Sequence, residues 1–103
     1  MKKLNEATIS QKLRSIEKWQ LKDGKWIERR YRFKDYLEGI RFVNKLAERS
    51  EEVNHHPFIT IQYKLIIVEL TSWHEKGLTD VDFDLADEFD RIFEGTNGSE
   101  GSH

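Results

Sequence analysis

The stretch Glu51-Glu52-Val53-Asn54-His55-His56-Pro57 brings two imidazoles, two carboxylates and an amide together in one short segment. Histidine both gives and takes protons near neutral pH, so adjacent histidines at a junction between elements suit a single proton-transfer site. The residues alone leave two other readings open. In one, His55 caps a helix end and His56 is simply exposed or packed. In the other the pair binds metal with His74, against which stand the divergent projections of neighbouring residues and the lack of thiolates or a His-Glu-x-x-His helix. His74 lies beside Trp73 in a polar loop, where it is either a third site residue or a surface histidine. Asp82 follows Thr79 by three positions and so completes a capping box, a role compatible with lining a pocket if that helix end borders one. Trp73 is the tryptophan whose loop position suits stacking on a flat heterocycle, whereas Trp19 and Trp26 read as core.

These residues need elements to hold them. Ile9, Leu13 and Ile16 recur at helical spacing, predicting a first helix over Ala7 to Trp19. Asp23-Gly24 is a tight-turn signal between a short strand carrying Trp19 and Leu21 and a return strand from Lys25 to Phe33. Along that return strand Ile27, Arg29, Tyr31 and Phe33 share one face, and Glu28, Arg30, Arg32 and Lys34 share the watered one. Its mixed basic and aromatic residues therefore read as a solvated strand face rather than a nucleic-acid platform. The apolar positions from Tyr36 to Val53 predict a long helix capped by Asp35, ending near Asn54 because Pro57 disfavours helix before it. His55 and His56 then fall on a helix-to-strand junction. Phe58 to Tyr63 and Leu65 to Ser72 read as strands, Trp73 to Leu78 as a loop, and Thr79 as the cap of a last helix bearing Phe83, Ala86, Phe89 and Phe93. The order αββαββα implies an α+β fold, an antiparallel sheet with its helices packed on one face. An unpaired sheet edge offers a route for two copies to join.

A chain of 103 residues suits one domain, here residues 1–94. Residues 95–103 are rich in Gly and Ser and read as a disordered tail whose composition also suits a cloning remnant. Cysteine is absent, which removes disulfides and thiol nucleophiles, suits a reducing compartment and leaves oligomerisation as the natural support for a small core. Charged residues make up 35% of the chain but nearly cancel, to a net charge of −2, so neither nucleic acid nor an anionic membrane is an expected partner. The charged N-terminus leads into no apolar run, and a cytoplasmic location is expected.

Taken together, Glu51, His55-His56-Pro57, Tyr63, Trp73 and Asp82 resemble, in type and spacing, the pattern of the pterin-4a-carbinolamine dehydratase family. Tyr31 to Tyr36 resembles that family's strand-to-helix entry, and Gly77-Leu78-Thr79 its Gly-Leu-Ser/Thr turn. The likeness spans about residues 5 to 93. It implies a four-stranded antiparallel sheet with three helices on one side, and dehydration of a 4a-hydroxytetrahydropterin to the quinonoid dihydropterin in tetrahydropterin recycling, with no metal or organic cofactor. By the same resemblance His55, His56 and Asp82 are the catalytic candidates, with His56 as the main proton-transfer group. Glu51 and Asn54 would orient the imidazoles, and Pro57, Ser72, Trp73, His74 and Glu75 would cradle the pterin. A homodimer or homotetramer is implied. One departure stands out: Trp73 occupies the place where many members carry a third histidine. Two alternatives follow, a pterin-binding or molybdopterin-linked accessory protein, and a protein-interaction module like the animal members that stabilise transcription-factor dimers.

Overall fold

Asp23 and Gly24 both adopt positive φ, 56° and 71°, the geometry that folds a two-residue hairpin with the right twist. The computed structural model describes residues 2–96. The turn joins β1 (Gln20–Lys22) to β2 (Trp26–Arg32), and a second hairpin joins β3 (Phe58–Gln62) to β4 (Leu65–Leu70). All strand pairs are antiparallel in the order β1-β2-β4-β3. The register sets Ile27 opposite Leu70, Arg29 opposite Val68 and Tyr31 opposite Ile66, so one face of the two central strands is almost entirely apolar. Three helices cover that face: α1 (Glu6–Leu13), α2 (Tyr36–Val53) and α3 (Asp80–Thr96). Phe42 and Leu46 of α2 and Phe83, Ala86 and Phe89 of α3 join Ile27, Tyr31, Ile66, Val68 and Leu70 in one core. Arg30 and Arg32 on the opposite face are exposed, as alternation predicts.

The expected αββαββα order and α+β class hold, with differences at element ends. The first helix stops at Leu13 rather than Trp19. Arg14, Ser15 and Ile16 donate to carbonyls three residues back, tightening the chain into turns that place Ile16 and Trp19 in the core. The last helix runs through Gly95 and Thr96, which the sequence assigned to a tail. The remainder of that tail, 97–103, lies outside the described residues.

Among the described strand residues Arg29 is the one cation on the covered face, and Asp90 is its partner. Arg29 Nη1 reaches Asp90 Oδ1 at 2.7 Å, Tyr31 donates its hydroxyl to the same oxygen at 2.6 Å, and the Trp19 indole N–H donates to the carboxylate at 3.0 Å. The guanidinium also lies 4.2 Å from the Tyr31 ring centroid. Burial, then the neighbouring Asp90 charge and its hydrogen bond, push the Tyr31 phenol far above its usual range. Lys22 bridges Glu69 at 2.6 Å and Glu28 at 3.7 Å on the open face.

Candidate functional site

Helix α2 ends on Asn54, whose φ of 55° is left-handed, a conformation asparagine tolerates better than most side chains. The His55 N–H closes back on the Ser50 carbonyl at 3.1 Å. This abrupt reversal sends the two histidines to different surroundings. The His55 ring turns inward, and its Nε2 lies 2.7 Å from Asp82 Oδ1. His56 turns back along the helix, with Nε2 at 2.5 Å from Glu51 Oε2, and both of those side chains are largely exposed.

Asp82 is completely buried in the first turn of α3, and its environment fixes the protons around it. Its Oδ2 accepts from Ser72 Oγ at 2.8 Å and from the Thr79 backbone N–H at 2.9 Å. Ser72 has a single hydroxyl proton and gives it to Asp82, so at the 2.9 Å contact between Ser72 and Thr79 hydroxyls Thr79 is the donor. With Asp82 as an ionised acceptor, His55 carries its proton on Nε2. In the neutral ring the lone pair is then on Nδ1, for which the described residues supply no hydrogen-bond partner. Asp82 is thus both the expected helix cap and a positioning group for one histidine.

The loop after β4 is a small hairpin. Ser72 and Gly77 exchange backbone hydrogen bonds at 3.1 and 3.3 Å, and Trp73 to Lys76 form the tip. The N-terminal segment crosses at Gly77, where a Cβ would sit 2.8 Å from Lys3 Cε, the movable end of a flexible side chain. The hairpin places His74 and Glu75 with Asn54, His55, Ser72 and Thr79 around a cleft of about 210 Å³, walled by Val53 and Val81. Trp73 does not line it. Its ring is 58% exposed and packs edge-on against Trp26 at 5.2 Å and obliquely on Phe58 at 5.4 Å.

The structure therefore brings together Asn54, His55, Ser72, His74, Glu75 and Asp82 from the predicted set. Glu51 and His56 form a separate exposed pair beside the cleft's helix end, Pro57 leads into β3 without lining the cleft, and Trp73 faces elsewhere. Sequence reasoning missed the Thr79 hydroxyl as the outermost donor of the chain through Ser72 to Asp82, although its spacing from Asp82 had marked it as a cap. Among the described residues no group of three or more His, Cys, Asp or Glu side chains converges as a metal site would require. No helix there is long and apolar enough to cross a membrane.

Known proteins share this arrangement of elements. A protein of Picosynechococcus sp. named "Putative pterin-4-alpha-carbinolamine dehydratase" is 43% identical over 90 residues, 87% of this chain and 97% of its own. A Brucella melitensis crystal structure described as a transcriptional coactivator/pterin dehydratase superposes with a TM-score of 0.83 at 31% identity, covering 87% of this chain and 97% of that one. A pterin dehydratase-like protein described as a RuBisCO assembly factor in the alpha-carboxysome shares the fold, with a TM-score of 0.60 at 24% identity over 72% of this chain and 84% of its own. The family model for pterin 4 alpha carbinolamine dehydratase matches residues 2–92, nearly the whole described domain. On these matches, the chain belongs to the pterin 4 alpha carbinolamine dehydratase family.

Proposed function

We propose that this chain removes water from a 4a-hydroxytetrahydropterin by histidine general acid–base catalysis. The supporting observation is His55, held by the buried Asp82 and sharing a cleft with His74. A base takes the N5 proton while an acid protonates the departing 4a-hydroxyl, so the products are the quinonoid dihydropterin and water. His55 Nδ1 suits the base, because the Asp82 contact commits Nε2 to donation. His74 in its protonated form is the acid, reached from the neighbouring turn rather than from the Trp73 position. The sequence reading placed the main proton transfer on His56. That ring is paired with exposed Glu51 outside the cleft, which favours His55 for the central role and leaves His56 to act at the rim. Ser72, Asn54 and Glu75 offer polar contacts to the pterin.

The test is the rate of 4a-hydroxytetrahydropterin dehydration by wild type, His55→Ala, His56→Ala, His74→Ala and Trp73→His. A loss of roughly 10²-fold or more in His55→Ala and His74→Ala, with a smaller loss in His56→Ala, supports this assignment. A wild-type rate equal to the uncatalysed one would overturn the enzymatic reading.

A second reading, a pterin-binding or protein-interaction module without turnover, is favoured by Trp73 lying outside the cleft where a third histidine is common in the family. Pterin binding by an inactive wild type would support it. A homo-oligomer in the cytoplasm fits either reading. The sheet ends at β3, and Phe58, Ile61 and Tyr63 on or next to that edge strand are exposed, which favours a second copy joining there. A monomer mass in solution at micromolar concentration would refute this.

A further inference from the structure

The cleft beside His55, about 210 Å³, shares Ser72 with a second cleft of about 200 Å³ lined by Lys25, Trp26, Thr71, Ser72, Trp73 and Lys76. Small-molecule sites commonly run from roughly 300 to 1,000 Å³. Neither cleft reaches that range alone, and the two together do.

Their chemistries differ. The first holds the imidazoles and the groups that orient them. The second has an aromatic wall of Trp26 and Trp73, whose rings pack on each other at a centroid distance of 5.2 Å and are both braced by Phe58, at 5.0 and 5.4 Å. It also has two exposed ammonium groups, Lys25 and Lys76, that form no ion pair among the described residues, unlike Lys22, which is held by Glu69 and Glu28. Neither indole N–H of Trp26 and Trp73 has a hydrogen-bond partner there either. Lys76 takes a left-handed turn position, φ 61°, which sets a cation beside this cleft. An aromatic wall with unpaired cations and free N–H donors is complementary to an anion carried on or near a flat group.

We propose that the two clefts form one substrate site, and that the lysine-lined one takes an anionic substituent, phosphate or carboxylate, on the side chain of the pterin whose ring occupies the His55 cleft. This inference rests on the pterin reading of that cleft. It adds a substrate class: acidic pterins over neutral ones.

The experiment is calorimetric titration at low salt with three oxidised pterins that do not react: neopterin, neopterin monophosphate and pteroylglutamate. Wild type is compared with the double variant Lys25→Gln/Lys76→Gln. One or both anionic ligands should bind about tenfold tighter than neopterin, an advantage that shrinks in added salt and disappears in the double variant. Neopterin affinity should be the same in both proteins, which also reports that the variant is folded. A gain confined to the phosphate identifies a phosphate ester, and one confined to pteroylglutamate an aromatic carboxylate. Equal binding of all three ligands, or an anionic advantage that survives lysine replacement, overturns the proposal and leaves the pterin reading standing. If none of the three binds, the pterin reading itself fails.

Discussion

Asparagine at position 82 would keep the volume of the buried carboxylate while changing what it offers. Oδ2 of Asp82 accepts two protons, from Ser72 and the Thr79 amide, and Oδ1 accepts one from His55. An amide has one oxygen to satisfy the first two, so it must present its NH2 to the ring. His55 Nε2 then becomes the acceptor, the proton moves to Nδ1, and the ring nitrogen free to act as base is lost. Each hydrogen bond to a charged acceptor is worth about 1.5–3 kcal/mol, and the amide keeps weaker versions of all three, so a stability loss of about 2 kcal/mol is expected for Asp82→Asn. Activity should fall much further, by roughly 10³-fold, because the wrong tautomer removes the proton acceptor without moving the ring. Nitrogen-15 NMR of the histidine ring reports the tautomer directly, and denaturant unfolding and dehydration rates report the other two quantities. A folded Asp82→Asn protein with inverted tautomer and a rate within twofold of wild type would refute the reasoning, since it would mean His55 Nδ1 carries no proton in the reaction.

Asp90→Ala should destabilise the fold by about 3 kcal/mol in denaturant unfolding, because it strands the largely buried Arg29 and leaves Tyr31 and Trp19 without an acceptor. The raised phenol of Tyr31 gives a signed alkaline effect: its stabilising contribution is complete below the unfolded-state value near 10 and is lost as pH rises above it. Stability should therefore fall by about 1.4 kcal/mol per pH unit from this group above that point, and Tyr31→Phe should flatten that limb in pH-dependent melting. Asn54→Val should cost about 1–2 kcal/mol and lower dehydration activity through misplacement of His55, while Asn54→Gly should keep the stability and lose only the activity owed to the amide's contact with the pterin, as melting and rate assays would reveal.

Much of the fold was readable from local signals. Asp23-Gly24, the Asp35 cap and the alternation along β2 each act within a few residues, so the hairpin, the long helix and the covered face follow from them. The end of α1 was not readable, because the stripe Ile9, Leu13, Ile16 continues at helical spacing while the core demands a turn that delivers Trp19 to Asp90 across 71 positions of sequence. The site divides in the same way. His55 and Asp82 were both singled out, but their contact spans 27 positions and depends on a left-handed Asn54 that no periodicity encodes. Adjacency in sequence made His55 and His56 look like parts of one site led by His56; one backbone reversal sends the two rings to different surroundings.

Asp82 closes the start of α3, anchors the hairpin through Ser72 and orients His55, so one carboxylate serves the architecture and, on the proposed mechanism, the chemistry. That overlap bears on how relatives of this protein can be read. A descendant that had abandoned turnover and kept only a binding role would still gain stability from an acid at this position, which holds its last helix, so the acid's presence alone would say nothing about activity. Among the described residues the imidazole at 74 has no such structural bond, and the one at 55 has only its contact with Asp82. On the proposed mechanism they, rather than the acid, are the positions to inspect when sorting catalysts from scaffolds.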